Sequence, residues 1–488
     1  ALRGHSMSDS LSLMGVVISL SLPWLLGMTW VLLLLGRSGR WNYWILTGYG
    51  YLAGMFITTL IIRLWDLVGL SLDFWWLAAT ILIFTVAGVA TVFVALPHQA
   101  VKPSGVAIPR CERAIVVALL ALIAYRYSGI AGEILLRPLY PWDAWMNWAP
   151  KAINWFHNSQ LTQYVSPEQW LDQTDDRLAY TAGATKAWKY PVTVPLIQLW
   201  GMLGAGAVDQ NYSSLPWLFA PLAFALALYG HLRLLGTSTL LATIACYVFL
   251  SLPFVNVHSA LAGYADIWLA IYFGAAVLCL QEWQRNKCSS WAALTVIFSF
   301  ACTQLKLPGL VLGAIILAVF ALSFLARYRN AILAVLAITL VSTVCAVFVG
   351  VDINIPAVGH VVISTDMIKV PYLGSYPLRY HPVHGALMES AFSMNSWHMF
   401  WYVMAATLMA KAFTGGLLTP PSIELITLSI TLLFFGLVFY FTHISAFVLD
   451  FTTVNRVLLY LIPGFLLYFF RNLEQWSQAE SGDQHVIR

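Results

Sequence analysis

The sequence predicts an all-α polytopic membrane protein, and two observations lead to this prediction. Of the 488 residues, 60% are hydrophobic and only 9% are charged, with a mean hydropathy of +0.77. Soluble domains usually carry about 25% charged residues, which excludes a soluble enzyme, a disordered chain and the usual basic nucleic-acid binder. The apolar stretches also run on without alternation, as lipid-spanning helices do and the strands of outer-membrane barrels do not.

Thirteen apolar runs have near-spanning length and predict about 13 transmembrane helices. They cover approximately 11–35, 42–62, 74–96, 113–131, 215–235, 238–256, 264–282, 290–305, 308–326, 330–350, 395–413, 422–441 and 453–470. A shorter run over 192–207 has about 16 residues, too few to cross a bilayer at about 1.5 Å per residue. We expect a re-entrant or interfacial helix there.

The basic residues of the short loops predict the orientation. Arg40, Arg233, Arg285 and Arg471 fall beside apolar runs, and such loops normally face the cytoplasm. The longer polar stretches then face the opposite side.

The predicted units are N-terminal transmembrane helices (1–131), a periplasmic catalytic loop with interfacial helices (132–212), a transmembrane core (213–350), a second periplasmic loop (351–394), and C-terminal helices with a short cytoplasmic tail (395–488).

An acidic residue in the first external loop has two interpretations. Asp143 follows Trp142 in the segment YPWDAWMNWAPKA, where helical spacing of apolar residues begins. It could be the N-cap of an interfacial helix, where the helix dipole favours a carboxylate. It could also accept a proton at the mouth of a membrane cavity. Lys151 follows two helical turns later, so the two side chains can share a face.

Further ionisable residues are predicted at the outer ends of the spans, on the same side of the membrane as Asp143. An ionisable side chain inside a span costs about 2.5–3.5 kcal/mol and needs a partner or a cavity. Taken singly, each could snorkel or form a structural pair; together, the cations suggest a bound anion such as a lipid-linked phosphate. The residues are His258, Asp266, Lys306, Arg379, His381, His384 and Arg456. Arg63 and Asp66 are expected to pair with each other.

Four segments together resemble the GT-C superfamily of membrane glycosyltransferases. They are the run around Asp143, YPVTVPL at Tyr190–Leu196, HSALAGYAD at His258–Asp266, and Arg456 followed by Pro463. The order is similar to that of bacterial family-39-like members, related to protein O-mannosyltransferases and to the lipid A aminoarabinose transferase. The resemblance covers about 135–325 and the last 40 residues, but not the first 130.

This resemblance implies a GT-C-like fold in the bacterial inner membrane, with the active site on the periplasmic face. It implies inverting transfer of a sugar from a polyprenyl-phosphate donor to a lipid, glycan or protein acceptor, with Asp143 as general base. Arg456, Lys306 and Arg379 would bind the donor phosphate. The other substrate-binding candidates are Asp266, His258, Lys151, Trp142, Tyr190, His381 and His384. No cofactor is expected; some superfamily members bind a divalent cation, but no metal-ligand spacing is evident here.

Two other functions remain open at this point. An O-antigen ligase or polymerase would use a diphosphate-linked glycan and depend on Arg379, His381 and His384 in the second loop. A lipid-sugar flippase or transporter would show internal repeats and broken helices near the membrane midplane. The sequence has no repeat of fixed period.

Overall fold

The computed structural model describes residues 2–36, 38, 40–95, 109–172, 179–184, 186–324, 348–356, 359–371, 374–413 and 422–480. The predicted span over 330–350 lies outside the described residues, except for its last three positions.

Four long helices form the N-terminal part: α1 (Leu2–Gly36), α2 (Tyr43–Leu67), α3 (Phe74–Ala95) and α4 (Arg110–Leu136). The Asn42 side chain accepts a hydrogen bond from the Ile45 amide and so caps the start of α2. Helices α1 and α2 approach closely at glycine, since a Cβ added to Gly54 would collide with the Pro23 carbonyl oxygen. Helix α4 mostly exposes apolar side chains, as a lipid-facing helix does.

The segment predicted as the first external loop folds into short elements. A π-helical turn (Ala144–Trp148) leads into α5 (Ala149–Asn158). Strand β1 (Gln163–Tyr164) pairs in parallel with β2 (Ala179–Tyr180), and α6 (Pro167–Leu171) lies between them in the chain. A 3₁₀ turn (Ala187–Lys189) precedes α7 (Thr193–Ala205), which is wholly buried and has 13 residues. Helix α7 is therefore as short as the sequence predicts for the run over 192–207.

A 3₁₀ turn (Tyr212–Ser214) begins the central part. Six helices follow it: α8 (Leu215–Leu234), α9 (Thr239–Ser251), α10 (Pro253–Ala260), α11 (Asp266–Asn286), α12 (Ser289–Thr303) and α13 (Leu307–Phe324). Helices α9 and α10 meet at 59°, because a proline at the start of α10 cannot continue the hydrogen bonding of α9. Every residue of α11 from Asp266 to Trp283 is buried. Helix α11 is therefore the core helix, packed between α8, α12 and the last helix of the chain.

The segment predicted as the second external loop contains a four-stranded antiparallel meander: β3 (Val351–Ile355), β4 (Gly359–Ile363), β5 (Met367–Val370) and β6 (Gly374–Pro377). Ile353 faces Val361 across β3 and β4, and Ile368 faces Tyr376 across β5 and β6. The chain continues through α14 (His384–Met388), a π-helical turn (Glu389–Ser393), α15 (Phe400–Phe413), α16 (Ile423–Phe441), α17 (Ser445–Leu449) and α18 (Thr452–Glu480).

Eight of the described helices are long and apolar enough to cross a membrane: α1 to α4, α8, α13, α16 and α18. The number rises to nine if the bent pair α9–α10 forms one span. The prediction of an all-α, multi-pass membrane protein is confirmed. The number thirteen, the orientation and the GT-C-like architecture stay predictions.

Candidate active site

The site is centred on an ion pair between residues that are 313 positions apart in the sequence. Arg456 Nη1 lies 2.7 Å from Asp143 Oδ2. The other carboxylate oxygen, Oδ1, accepts a hydrogen bond of 3.3 Å from the Asn147 side-chain amide. The Asp143 side chain keeps 11% of its surface exposed and that of Arg456 keeps 23%. Both side chains are therefore mostly buried, and a small fraction of each remains exposed.

A second carboxylate adjoins the same arginine. Asp266 is wholly buried at the start of α11, and Lys306 Nζ lies 3.0 and 3.2 Å from its two oxygens. The Tyr460 hydroxyl donates to Oδ1 of Asp266. Arg456 Nη1 is 3.7 Å from Oδ2 of Asp266, so this one guanidinium links both carboxylates. We call Asp143, Asp266, Lys306 and Arg456 the ionic cluster, and the end of the helices where they meet the site end.

Asp143 directly precedes the π-helical turn, as the N-cap interpretation predicts, but its side chain makes no capping hydrogen bond. Asp143 has helical dihedral angles (φ −60°, ψ −37°), and its side chain caps no backbone amide. The Ala149 amide donates instead to the Ala144 carbonyl, which closes a π-helical turn, while Pro150 has no amide to contribute. The carboxylate is thus free to turn towards α18, where the charged guanidinium is a stronger partner than a neutral amide.

Each remaining member of the ionic cluster sits where a helix begins or turns. Lys306 lies in the short connection between α12 and α13, where Pro308 occupies the first turn of α13. Arg456 and Tyr460 are four residues apart on α18 and therefore share a face. Helix packing brings this face of α18 against the start of α11. Four separate segments consequently meet at the site end.

Aromatic side chains border the ionic cluster. The Tyr264 ring centroid lies 5.2 Å from the Arg456 guanidinium carbon, within the range of a cation–π contact. The Tyr264 backbone carbonyl accepts a 2.7 Å hydrogen bond from the Trp217 indole. Burial, and next the nearby Asp143, raise the pKa of the Tyr264 hydroxyl. Tyr264 therefore remains neutral and can serve as a hydrogen-bond donor.

Two further predicted site residues lie against these aromatics. His258 is buried on α10, with its ring 5.3 Å from Tyr264 and 4.6 Å from Phe254. Within the described part of the chain, its Nδ1 atom has no hydrogen-bond partner. Tyr190 stacks on Trp148 at 5.1 Å, and its pKa is raised first by burial and then by Asp143. These contacts place His258 and Tyr190 around the ionic cluster.

Lys151 has a different environment from the other predicted site residues. Its buried ammonium donates to the carbonyl oxygens of Ala187 at 2.9 Å and Tyr190 at 3.3 Å. The Tyr164 ring lies 5.3 Å away. Burial lowers the pKa of Lys151 to about 8. The contacts of Lys151 hold the segment that carries Tyr190 in place. Trp142, the neighbour of Asp143 in the chain, is 61% exposed.

The basic residues of the second loop lie along its edge. Arg379 and His384 are exposed and His381 is half-buried. The backbone amides of Arg379 and His381 donate to the Phe441 and Tyr440 carbonyls at the end of α16. Among the residues that the structure describes, no hydrogen bond or ion pair connects these three side chains to the ionic cluster. Their contribution to substrate binding stays a prediction.

Sequence reasoning missed several partners. Tyr460 and Asn147 each lie four residues from a predicted site residue, a helical spacing that could have suggested them.

The predicted pair of Arg63 and Asp66 is wrong. Arg63 donates to Gln304 Oε1 at 2.8 Å and to Thr193 Oγ1 at 2.7 Å, and Asp66 accepts from the Leu161 amide at 2.7 Å.

The ionic cluster offers acidic, basic and hydroxyl groups to a ligand. In the described ranges, no three His, Cys, Asp or Glu side chains converge as metal ligands would. Comparison with protein-family models, with curated proteins and with solved structures finds no match for this chain. The class established is therefore a multi-helical membrane protein with a largely buried ionic cluster at one end of its helices.

Proposed function

We propose that this protein is an inverting glycosyltransferase of the GT-C type, which moves a sugar from a polyprenyl-phosphate donor to an acceptor hydroxyl. The observation that carries the proposal is the contact of Arg456 with Asp143. It sets a carboxylate that could take a proton beside a guanidinium that could hold a phosphate. Both side chains keep a small exposed fraction at the end of a bundle whose helices suit a lipid-borne substrate.

The proposed reaction divides the chemistry between these two groups. The acceptor oxygen attacks the anomeric carbon, and its proton passes to the Asp143 carboxylate. The bond from the anomeric carbon to the phosphate oxygen breaks on the opposite side, and its electron pair leaves with the polyprenyl phosphate. Arg456 stabilises that negative charge. No covalent enzyme intermediate is needed, and Asp143 is the less buried of the two carboxylates in the ionic cluster.

The buried carboxylate would have a positioning role. Asp266 contacts Lys306, Tyr460 and Arg456 at once, and it is wholly buried. It therefore fixes the direction of Lys306 and Arg456 while Asp143 faces the substrate. Arg456 would exchange part of its contact with Asp143 for the donor phosphate, so donor binding and release of the base would be coupled.

The proposed setting is the bacterial inner membrane, with the site end on the periplasmic side. The donor would arrive within the bilayer and the acceptor would be a lipid, a glycan or a protein. The cytoplasmic placement of the basic loops, inferred from the positive-inside tendency, supports this orientation.

The experiment compares cells that produce the native chain, the Asp143→Asn variant or no protein. Lipid-linked sugars and envelope glycans are measured in each. We expect the Asp143→Asn variant to resemble the empty cells, with unused donor and an unmodified acceptor. Asp172→Asn is the matched control, because Asp172 is exposed in the same external loop. Normal glycan modification by Asp143→Asn would refute the proposal; it would fit a ligase that works through the second loop.

One observation favours a second candidate, a lipid-sugar flippase. The 59° bend between α9 and α10 gives a broken helix of the kind found at transporter binding sites. Proteoliposomes loaded with a labelled lipid-linked sugar distinguish the two functions. Movement across the bilayer with no sugar transferred to any acceptor would support the flippase.

A further inference from the structure

Arg63 is a cation near the site end, and its hydrogen-bond partners among the described residues are all neutral. It lies near the end of α2, and its guanidinium donates to Gln304 Oε1 at 2.8 Å and Thr193 Oγ1 at 2.7 Å. Its Nε atom is buried and has no hydrogen-bond partner among the described residues. A guanidinium has five N–H donors, so most of its capacity for oxygen acceptors remains unused.

Gln304 links Arg63 to the ionic cluster. The Gln304 side-chain amide nitrogen donates to Thr303 Oγ1 at 3.1 Å, which leaves the carbonyl oxygen directed at Arg63. Two residues further along the chain, Lys306 contacts Asp266. The short turn between α12 and α13 therefore carries both Lys306 and the Gln304 acceptor of Arg63.

The charges of the ionic cluster cancel without Arg63. Asp143 and Asp266 carry two negative charges, and Lys306 and Arg456 carry two positive ones. A phosphate bound to Arg456 would make the net charge of this group negative unless a further cation took part. Arg63 is a further cation, connected to the chain segment of Lys306 through its hydrogen bond to Gln304. A partly buried cation lacking an acidic partner is costly to keep, and at a membrane site it usually marks a substrate or ion pathway.

We propose that Arg63 is the centre of an anion subsite that takes a phosphate group, with Gln304 and Thr193 holding the guanidinium in place. Arginine suits this task because its planar fork matches the oxygens of a phosphate. The subsite is separate from the contact of Arg456 with Asp143. The inference rests on the proposed function only for the class of ligand, a polyprenyl phosphate; it concerns binding and requires no sugar transfer.

The same chemistry could serve a lipid-borne phosphate or free phosphate, so the test includes both. The full chain is reconstituted in nanodiscs, and its binding of polyprenyl monophosphate, inorganic phosphate and uncharged polyprenol is measured by native mass spectrometry. Preference for polyprenyl monophosphate assigns the subsite to a lipid substrate. Equal affinity for inorganic phosphate assigns it to a released or soluble phosphate. Equal binding of polyprenol and polyprenyl phosphate by the native chain would overturn the proposal.

Two variants at the subsite make the expectation specific. Arg63→Gln should weaken phosphate binding by about ten- to a hundredfold, the effect of losing a hydrogen-bonded charge, and Arg63→Lys should restore only part of it. Gln304→Glu gives Arg63 an acidic partner, so the protein should stay folded and still lose phosphate affinity. Because this variant pairs the cation instead of removing it, it keeps the test decisive if Arg63→Gln fails to fold.

Arg40→Gln is the matched control. Arg40 lies just before α2, at the end opposite to Arg63, and pairs with Glu282 at 3.3 Å. We expect native phosphate affinity from it. Wild-type affinity in both folded Arg63→Gln and Gln304→Glu would also overturn the proposal. Asp143→Asn separates the two hypotheses. Normal sugar transfer by this variant refutes the glycosyltransferase proposal and leaves the Arg63 subsite untouched. Only the phosphate-binding results described above can overturn the Arg63 subsite.

Discussion

The side chains of Asp143 and Arg456 form a 2.7 Å ion pair between the predicted first external loop and α18. Asp143 lies before a π-helical turn and Arg456 lies one turn below Tyr460 on α18. The pair therefore exists only when the loop is seated on the helical bundle. This relationship connects folding of the external loop with assembly of the site, and it yields several quantitative expectations.

The first prediction concerns proton transfer. Asp143→Asn preserves the size of the side chain but removes the proton acceptor, so sugar transfer should fall by about 10²–10⁴-fold. The measurement is the rate of transfer by the reconstituted chain with saturating donor. Asp172→Asn should retain the native rate, and a loss of less than tenfold in Asp143→Asn would contradict the role of a base.

The second prediction concerns the coupling between the two residues of the ion pair. Arg456→Gln leaves two carboxylates without their shared guanidinium, so its cost in free energy of unfolding should exceed that of Asp143→Asn. In the double variant the costs should not add, with an interaction of about 0.5–3 kcal/mol. Thermal unfolding of the four proteins measures this cycle. Strictly additive costs would show that the contact contributes nothing to stability.

The third prediction isolates the Tyr460 hydroxyl. Tyr460→Phe removes the donor to Asp266 and leaves a buried carboxylate with one fewer partner, which should cost about 1–3 kcal/mol. Unfolding in denaturant measures the change. Tyr125→Phe is the control, because Tyr125 is 81% exposed on α4 and should be neutral. Equal stability of the two variants would argue against the contact.

The fourth prediction is a pH dependence that comes from Lys151. Its folded pKa of about 8 lies below the ordinary value of 10.5, so the unfolded chain binds more protons between these values. Stability should therefore rise as pH increases from about 8 to 10.5, and the penalty for burying the charge is fully present below pH 8. Lys151→Met should remove this contribution. If the unfolding temperatures of the native chain and of Lys151→Met change in parallel with pH, Lys151 is not the source of the pH dependence.

The fifth prediction tests the packing of the N-terminal helices. Gly54→Ala would drive a methyl group into the Pro23 carbonyl of α1, and the required separation of α1 and α2 should lower the unfolding temperature. Gly129→Ala is the matched control on α4, where no atom lies within 4 Å of the added Cβ. Since alanine favours helix over glycine by about 1 kcal/mol, Gly129→Ala should be neutral or stabilising.

The site could be predicted in part from residue type alone. Asp143, Asp266, Lys306 and Arg456 were recognisable because charged side chains near apolar runs need partners. Their pairing was not, since Arg456 could equally have met a lipid phosphate or another loop. Residue type alone also selects residues that the structure does not bring to the ionic cluster. Arg379 and His384 have suitable chemistry, yet they are exposed near the end of α16.

The sequence by itself determined the class of protein and the approximate bounds of its helices. The run predicted over 215–235 forms α8 (Leu215–Leu234), and that over 422–441 forms α16 (Ile423–Phe441), because continuous apolarity and a few breaking residues define such helices locally. Tertiary structure decided which charges meet. Arg63 lies three residues from Asp66 yet bonds to Gln304 and Thr193, since partners across a bundle are set by helix packing, which spacing along one helix does not encode.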